Sequence, residues 1–63
     1  MCIKDRIILL KDLGLSYAFM STFVGLHPTT IGKYVSGRLD LRAENLEKLD
    51  ELTFNLCAAL GVE

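Results

Sequence analysis

The segment that decides the fold spans residues 14–38 and has the sequence GLSYAFMSTFVGLHPTTIGKYVSGR. Glycines divide it into two short stretches, and the apolar residues within each stretch recur with helical spacing rather than with the alternation of a strand. We predict one helix over residues 17–24 and a second over residues 28–36. Two short helices joined so tightly are typical of a helix-turn-helix motif, whose core we place at residues 16–36.

Local signals mark the ends of these two helices. Ser16 is a good N-cap for the first, because its hydroxyl can accept a hydrogen bond from a backbone N–H of the first turn. Gly25 can adopt the left-handed conformation that ends this helix and reverses the chain. Pro28 suits the first position of the second helix, where its missing N–H costs nothing. Ser21 supplies the small side chain that is needed where the two helices cross.

Two further helices flank the motif. The first is predicted over residues 3–13, where Ile3, Ile7 and Leu10 form a stripe that faces the core. The last is predicted over residues 43–60. The sequence therefore predicts an all-α fold of four helices in a single domain, residues 1–63. The stripe of the last helix consists of five leucines at helical spacing, namely Leu46, Leu49, Leu52, Leu56 and Leu60.

The composition is that of a small globular protein. The chain has 63 residues, of which 51% are hydrophobic and 24% are charged. These values exclude the disordered and low-complexity classes, and the length excludes a two-domain enzyme with a cofactor fold. No apolar run is long enough to cross a bilayer, and the N-terminus lacks the features of a signal peptide. We therefore expect a soluble, cytoplasmic protein that does not contact a membrane.

The formal net charge of −1 conceals an uneven distribution. Residues 1–38 carry five Lys and Arg against two Asp, a charge of +3, whereas residues 39–63 carry two basic against six acidic residues, a charge of −4. A basic front half can bind a polyanion in one orientation even when the whole chain is slightly acidic. On charge alone, a merely solvated surface is the more common explanation.

No group of residues in the sequence supports catalysis, a metal or a cofactor. Cys2 and Cys57 lack the spacing of a zinc site and are too few for a disulfide scaffold, so we expect two thiols. The serines have no paired general base. His27 stands without a second ligand, and we expect it to be a turn or capping residue close to a phosphate. The sequence predicts a protein that is not an enzyme.

An ordered set of residues carries a resemblance to a known family. Gly-Leu-Ser precedes the first motif helix, a small residue lies inside it, Gly and an aliphatic residue form the turn, Thr-Ile begins the second helix, and Ser-Gly-Arg closes it. The chain thereby resembles the Cro/C1-type (lambda repressor-like) helix-turn-helix family over about residues 7–52. The matching positions are Gly14, Leu15, Ser16, Met20, Ser21, Gly25, Leu26, Thr30, Ile31, Ser36, Gly37 and Arg38.

The resemblance implies binding to double-stranded DNA, with the second motif helix in the major groove. Of the outward positions that would reach base edges, only Thr29 and Lys33 offer suitable side chains: a methyl group for thymine and an ammonium group for guanine. Pro28 offers none, and Gly32 favours a close backbone approach to a groove or partner. Phosphate contacts and DNA shape should then dominate binding. The expected phosphate contacts are Ser16, Tyr17, His27, Thr30, Arg38 and Arg42, although Tyr17 can equally pack inside.

The last helix departs from the family, in which a shorter fourth helix is followed by a separate one. Between Leu52 and Leu60 it is apolar nearly all round, and such a helix must be buried on more than one side. We expect a twofold partner to cover the second side. The alternative is that the first two helices wrap it within one chain. The expected dimer interface comprises Leu52, Phe54, Leu56, Cys57, Ala59 and Leu60.

Phe19 and Phe23 occupy positions that are polar in the family. Two exposed rings are unfavourable, so the last helix, a second protomer or a foreign protein should cover them. The sequence thus predicts a small dimeric DNA-binding transcriptional regulator of phage or plasmid type, with the helix over residues 28–36 in the major groove. The alternative is a helix-turn-helix scaffold that acts as an antirepressor or inhibitor by binding a host or phage protein through these two rings.

Overall fold

Four α-helices joined by short loops make up the molecule. The computed structural model describes residues 2–62. Its helices are α1 (Ile3–Asp12), α2 (Tyr17–Phe23), α3 (Thr30–Val35) and α4 (Ala43–Leu60), and no strand occurs among the residues described. The predicted all-α fold of four helices is therefore confirmed. The bounds of α4 are those predicted, and α1 and α2 each end one residue earlier than predicted.

The helix α3 is shorter than the predicted helix over residues 28–36, and Pro28 is not its first residue. The N–H of Thr30 donates to the His27 carbonyl at 2.9 Å, which closes a turn across Pro28 and Thr29. The N–H of Thr29 donates to Nδ1 of the His27 ring at 3.2 Å. Because this turn precedes the helix, regular hydrogen bonding begins only at Thr30.

A buried serine connects α2, the turn and α3. The side chain of Ser21 is fully buried, and its Oγ accepts a hydrogen bond from the N–H of Ile31 at 3.3 Å. The carbonyl of Ser21 accepts from the N–H of Leu26 at 2.7 Å. Gly25 has a φ of +79°, the left-handed conformation that the turn requires. The small residue predicted at this crossing is thus present and holds α3 against α2.

The core draws residues from all four helices. Ile7 and Leu10 of the predicted α1 stripe are fully buried, and Ile3 packs at its edge. Together these residues join the long helix α4 to α1 and to the motif. The buried hydrophobic residues are Ile7, Leu10, Met20, Ile31, Leu49, Leu52 and Cys57.

The sequence predicts that the half of α4 between Leu52 and Leu60 is buried on more than one side, and the observed burial differs from this prediction. Thr53 is fully buried, and its hydroxyl donates to the Leu49 carbonyl at 2.7 Å, which satisfies the polar group inside the core. Leu60, by contrast, is exposed, so the burial of the leucine stripe stops before the end of the helix.

Arg6 of α1 forms an ion pair with Asp50 of α4. Its guanidinium also lies over the ring of Phe54, 5.6 Å from the ring centroid. These contacts add a polar link to the apolar packing between the two helices. None of the helices within residues 2–62 is both long and apolar enough to span a membrane.

Candidate nucleic-acid interface

The turn before α3 fixes the position of Thr29. The Oγ1 atom of Thr29 lies 2.9 Å from Nδ1 of His27, and the same nitrogen accepts the Thr29 N–H. The Thr29 hydroxyl and the His27 ring are thus within hydrogen-bond distance of each other. Both residues are exposed. With its hydroxyl held by His27, Thr29 presents its methyl group as the part of the side chain available to a base.

Lys33 lies one helical turn beyond Thr29 and is exposed. Residues four apart lie on the same face of a helix, so the two predicted base contacts share one outward side. Within the part of the chain that the structure describes, Lys33 forms no ion pair. Its ammonium group is therefore available to an anion or to a base edge.

Two arginines stand in the loop between α3 and α4. The N–H of Arg38 donates to the Lys33 carbonyl at 2.9 Å, which fixes the start of the loop to the end of α3. Arg42 occupies the N-cap position of α4. Both side chains are exposed, and neither is paired with a carboxylate within residues 2–62. Their positions allow contact with phosphates that flank the site of α3.

The three remaining predicted phosphate contacts lie at the starts of α2 and α3. The Oγ of Ser16 accepts a hydrogen bond from the N–H of Phe19 at 3.0 Å, which confirms the predicted N-cap. The hydroxyl proton of Ser16 can still be donated to a phosphate. Tyr17 is half-buried and packs against the core, and Thr30 is half-buried as well. Their side chains are thus only partly accessible to a phosphate.

Two lysines of α1 belong to the same basic region, and the sequence analysis did not include them. The Nζ of Lys11 lies 4.9 Å from the centroid of the Tyr17 ring, and the Nζ of Lys4 lies 5.0 Å from that of Tyr34. Contacts of this kind hold an ammonium group over an aromatic face. Lys4 and Lys11 are seven residues apart, so they share one face of α1. Their seven-residue spacing could have identified both lysines as part of the basic region from the sequence.

Four acidic residues are on a different element from these cations, whereas Asp5 and Asp12 lie on α1 and Asp40 lies in the loop before α4. Four exposed carboxylates follow one another along the first half of α4, whereas the cations described above are on α1, on α3 and in the loop after it. The charge asymmetry of the sequence is thus also an asymmetry between elements of the fold. The four carboxylates of α4 are those of Glu44, Glu47, Asp50 and Glu51.

Gly32 faces the ring of Tyr17. A Cβ atom built on Gly32 would lie 3.5 Å from Cδ2 of that ring, which is an ordinary van der Waals distance. The fold itself therefore leaves room for a methyl group at this position. The predicted close approach of Gly32 to a groove or partner stays a prediction.

Replacing Gly32 with alanine should stabilise the fold, because alanine favours a helix by about 1 kcal/mol relative to glycine. Urea denaturation of Gly32→Ala should show this gain in the free energy of unfolding. The matched control is Gly25→Ala, which should lose about 1 kcal/mol because the φ of Gly25 is +79°. A destabilised Gly32→Ala would contradict the packing described here. If that variant is more stable but binds duplex more weakly, the glycine serves the approach to DNA.

Phe19 and Phe23 are exposed, so of the three alternatives that the sequence leaves open, the last helix of the same chain is not what covers them. Their exposed fractions are 45% and 66%, and their ring centroids are 6.2 Å apart. The rings form one wall of a groove of about 730 Å³ between α2 and α4, which we call the α2–α4 groove. The other apolar residues of the groove are Val24, Leu52 and Leu56.

The predicted dimer interface on α4 also needs correction. Cys57 is fully buried and Leu52 is only 8% exposed, so both pack in the core of their own protomer. Leu56 is half-buried and faces the α2–α4 groove. The other three predicted interface residues, Phe54, Ala59 and Leu60, are exposed. Only these four of the six predicted residues are available to a partner.

No set of three His, Cys, Asp or Glu side chains within residues 2–62 is arranged to hold a metal ion. A protein-family model described as helix-turn-helix (HTH_3) matches residues 7–63 of the chain. No curated protein and no solved structure matches the chain significantly.

Proposed function

Because the chain belongs to the Cro/C1-type helix-turn-helix family, a family of DNA-binding regulators, we propose that it is a small dimeric transcriptional regulator of phage or plasmid type. In this proposal residues 1–63 act as a single domain. The helix α3 enters the major groove of double-stranded DNA, and the protein acts in the cytoplasm, where its operator lies. It needs no cofactor and catalyses no reaction.

The observation that carries the proposal is the outward face of α3 and its turn. Thr29 and Lys33 are exposed together at one turn's spacing, so both can reach into a groove that α3 occupies. The Thr29 methyl group would contact a thymine methyl group, and the Lys33 ammonium group would donate to guanine O6 or N7. Two such contacts give modest direct readout, of about 1–3 kcal/mol for each good contact.

Phosphate contacts would supply the remaining affinity. Arg38 and Arg42 flank α3 on one side, and Lys11 lies beside the start of α2 on the other. Cations placed around a reading helix fix its register on the duplex without specifying sequence. Ser16 and His27 can add hydrogen bonds to the same backbone. The proposed site thus depends more on the charge of the DNA than on its bases.

A dimer would place two copies of α3 on one face of the duplex. Two protomers related by a twofold axis read half-sites about 34–36 Å apart, one turn of the double helix. A protomer with only two base contacts binds weakly by itself, and pairing makes the second contact intramolecular. The exposed apolar surface of α4 supports this pairing.

The two exposed phenylalanines favour a second candidate function. In it the helix-turn-helix scaffold acts as an antirepressor or inhibitor, and Phe19 with Phe23 binds a host or phage protein. Exposed rings 6.2 Å apart form a contiguous apolar patch, which commonly marks a protein contact. This candidate requires no affinity for DNA, so the two functions are separable by experiment.

The test is fluorescence anisotropy with a labelled mixed-sequence duplex at low and moderate salt. We expect binding that weakens as salt is added, and we expect Lys33→Ala to weaken it about tenfold, because each protomer loses one cation at the groove. Lys33→Arg, which keeps the charge, is the matched control and should retain most of the affinity. Absence of binding at low salt would overturn the regulator and favour the second candidate. An unchanged affinity in Lys33→Ala would show that α3 does not read the duplex.

A further inference from the structure

The α2–α4 groove is open to solvent and lined mainly by apolar side chains. Phe19 and Phe23 of α2 line one wall, and Leu52 and Leu56 of α4 line the other. In each pair the two residues are four apart, so each wall is a ridge of the kind that helices use to pack against one another. The shape of the groove therefore suits the apolar stripe of a third helix.

We propose that this groove binds an amphipathic helix of another protein, one that carries lysines or arginines beside its apolar stripe. The inference rests on the second candidate function, in which Phe19 and Phe23 bind a protein, and it names the chemistry of that partner. It does not require the chain to bind DNA.

Backbone hydrogen bonding favours a helix over an extended peptide as the occupant. Backbone N–H and C=O groups that are buried without partners cost free energy. An extended segment satisfies these groups by adding to the edge of a sheet, and no strand occurs within residues 2–62. A helix forms its backbone hydrogen bonds internally and offers only side chains to the groove.

The charge of the groove comes from α4, since α2 contains no charged residue. Glu51 lines the groove, and Glu47 and Glu44 precede it by four and seven residues, so three exposed carboxylates follow one line along α4. None of the three forms an ion pair within residues 2–62. Among the described residues that line the groove, Lys48 is the one cation, and Glu44 lies one turn before it, where a carboxylate offsets a lysine. A partner with cations beside its apolar stripe complements this acidic rim.

The same carboxylates disfavour two other occupants. They repel the phosphates of a nucleic acid, so the groove does not extend the surface of α3. A second copy that paired here through α4 would bring the same row of carboxylates to this face, and like charges across an interface are unfavourable. The exposed apolar residues that support the proposed dimer lie outside the groove, so that dimer need not cover it. These residues are Phe54, Ala59 and Leu60.

Synthetic peptides of about 18 residues test the chemistry of the partner. The first has leucine at every third or fourth position and lysine beside that stripe. The second keeps the leucines and replaces the lysines with glutamate, and the third has the composition of the first in scrambled order. Fluorescence anisotropy of the labelled peptides is measured with the full chain, without DNA, at about 0.15 M salt. We expect the lysine peptide to bind at least about tenfold more tightly than either of the others.

Variants of the chain test whether the peptide binds in the groove. Phe23→Gln removes an exposed ring and should weaken binding of the lysine peptide at least about tenfold, with little change in the circular dichroism of the protein. Ile8→Gln is the matched control, because Ile8 is an exposed apolar residue of α1 outside the groove. Glu51→Lys should weaken the lysine peptide about tenfold and strengthen the glutamate peptide. Asp12→Lys changes the net charge equally outside the groove and should change neither affinity by more than about twofold.

Several outcomes would overturn the proposal. If the lysine and glutamate peptides bind equally and Phe23→Gln weakens both, the basic partner is refuted and the second candidate function stands. Equal binding of the lysine and scrambled peptides refutes the helix. A wild-type dimer that Phe23→Gln dissociates, as measured by light scattering, shows that a second copy occupies the groove.

Duplex binding and its dependence on Lys33 are measured separately. Duplex binding without peptide binding would refute this inference and leave the regulator standing. Peptide binding without duplex binding would refute the regulator and leave the groove as the site of a protein partner.

Discussion

Replacing Leu49 with alanine should lower the free energy of unfolding by about 3 kcal/mol. Leu49 is fully buried in the core cluster. Truncating a leucine at such a site loses the free energy gained by transferring its side chain out of water, and it also leaves a cavity. A single small core rarely supplies more than about 3–5 kcal/mol in total. The variant should therefore be largely unfolded at physiological temperature.

Thermal and urea denaturation followed by circular dichroism measure this loss. Leu13→Ala is the matched control, because Leu13 is 51% exposed and its truncation leaves no cavity. That variant should change the free energy of unfolding by less than about 0.5 kcal/mol. Equal stabilities for the two variants would show that Leu49 does not occupy the core position described here.

The affinity for duplex DNA should fall by about 10⁴-fold between roughly 50 and 200 mM salt. A dimer with roughly four phosphate contacts in each protomer releases condensed counterions when it binds, which gives a slope of about −7 for the logarithm of affinity against that of salt. This is a larger effect than any single base contact can produce. Anisotropy titrations at several salt concentrations give the slope.

Variants of the basic region test which residues produce that slope. Lys11→Ala should reduce its magnitude by about 2, one for each protomer, if the lysine held over the Tyr17 ring contacts a phosphate. Thr22→Ala changes an exposed, uncharged side chain of α2 and should leave the slope unaltered. A wild-type slope close to zero would be inconsistent with binding through phosphates.

Sequence reasoning succeeded where local chemistry determines structure. The hydroxyl of Ser16 caps α2, and the φ of Gly25 is positive, because each residue acts on its own neighbouring backbone. Helical periodicity likewise located α4 from Ala43 to Leu60. Such features can be predicted from the type of a residue and its position in the sequence.

Sequence reasoning failed where a side chain acts on another part of the chain. The ring of His27 accepts the Thr29 N–H and delays the start of α3, an arrangement that the preference of Pro28 for a first helical position does not reveal. The burial of Cys57 depends on how α4 is rotated against α1, which periodicity alone does not fix. The placement of Lys11 over Tyr17 also required the packing of two helices. The roles of the base-facing and phosphate-facing residues stay predictions.

The helix α3 contains only six residues, too few to stay helical in water by itself. Its order comes from the buried side chain of Ile31 and from the bond between Ser21 and the Ile31 backbone. Melting of the core therefore removes the helix as well, and no partly unfolded form retains it. On heating, loss of duplex affinity and loss of ellipticity should follow the same curve, so that the working temperature range of the protein is set by its interior.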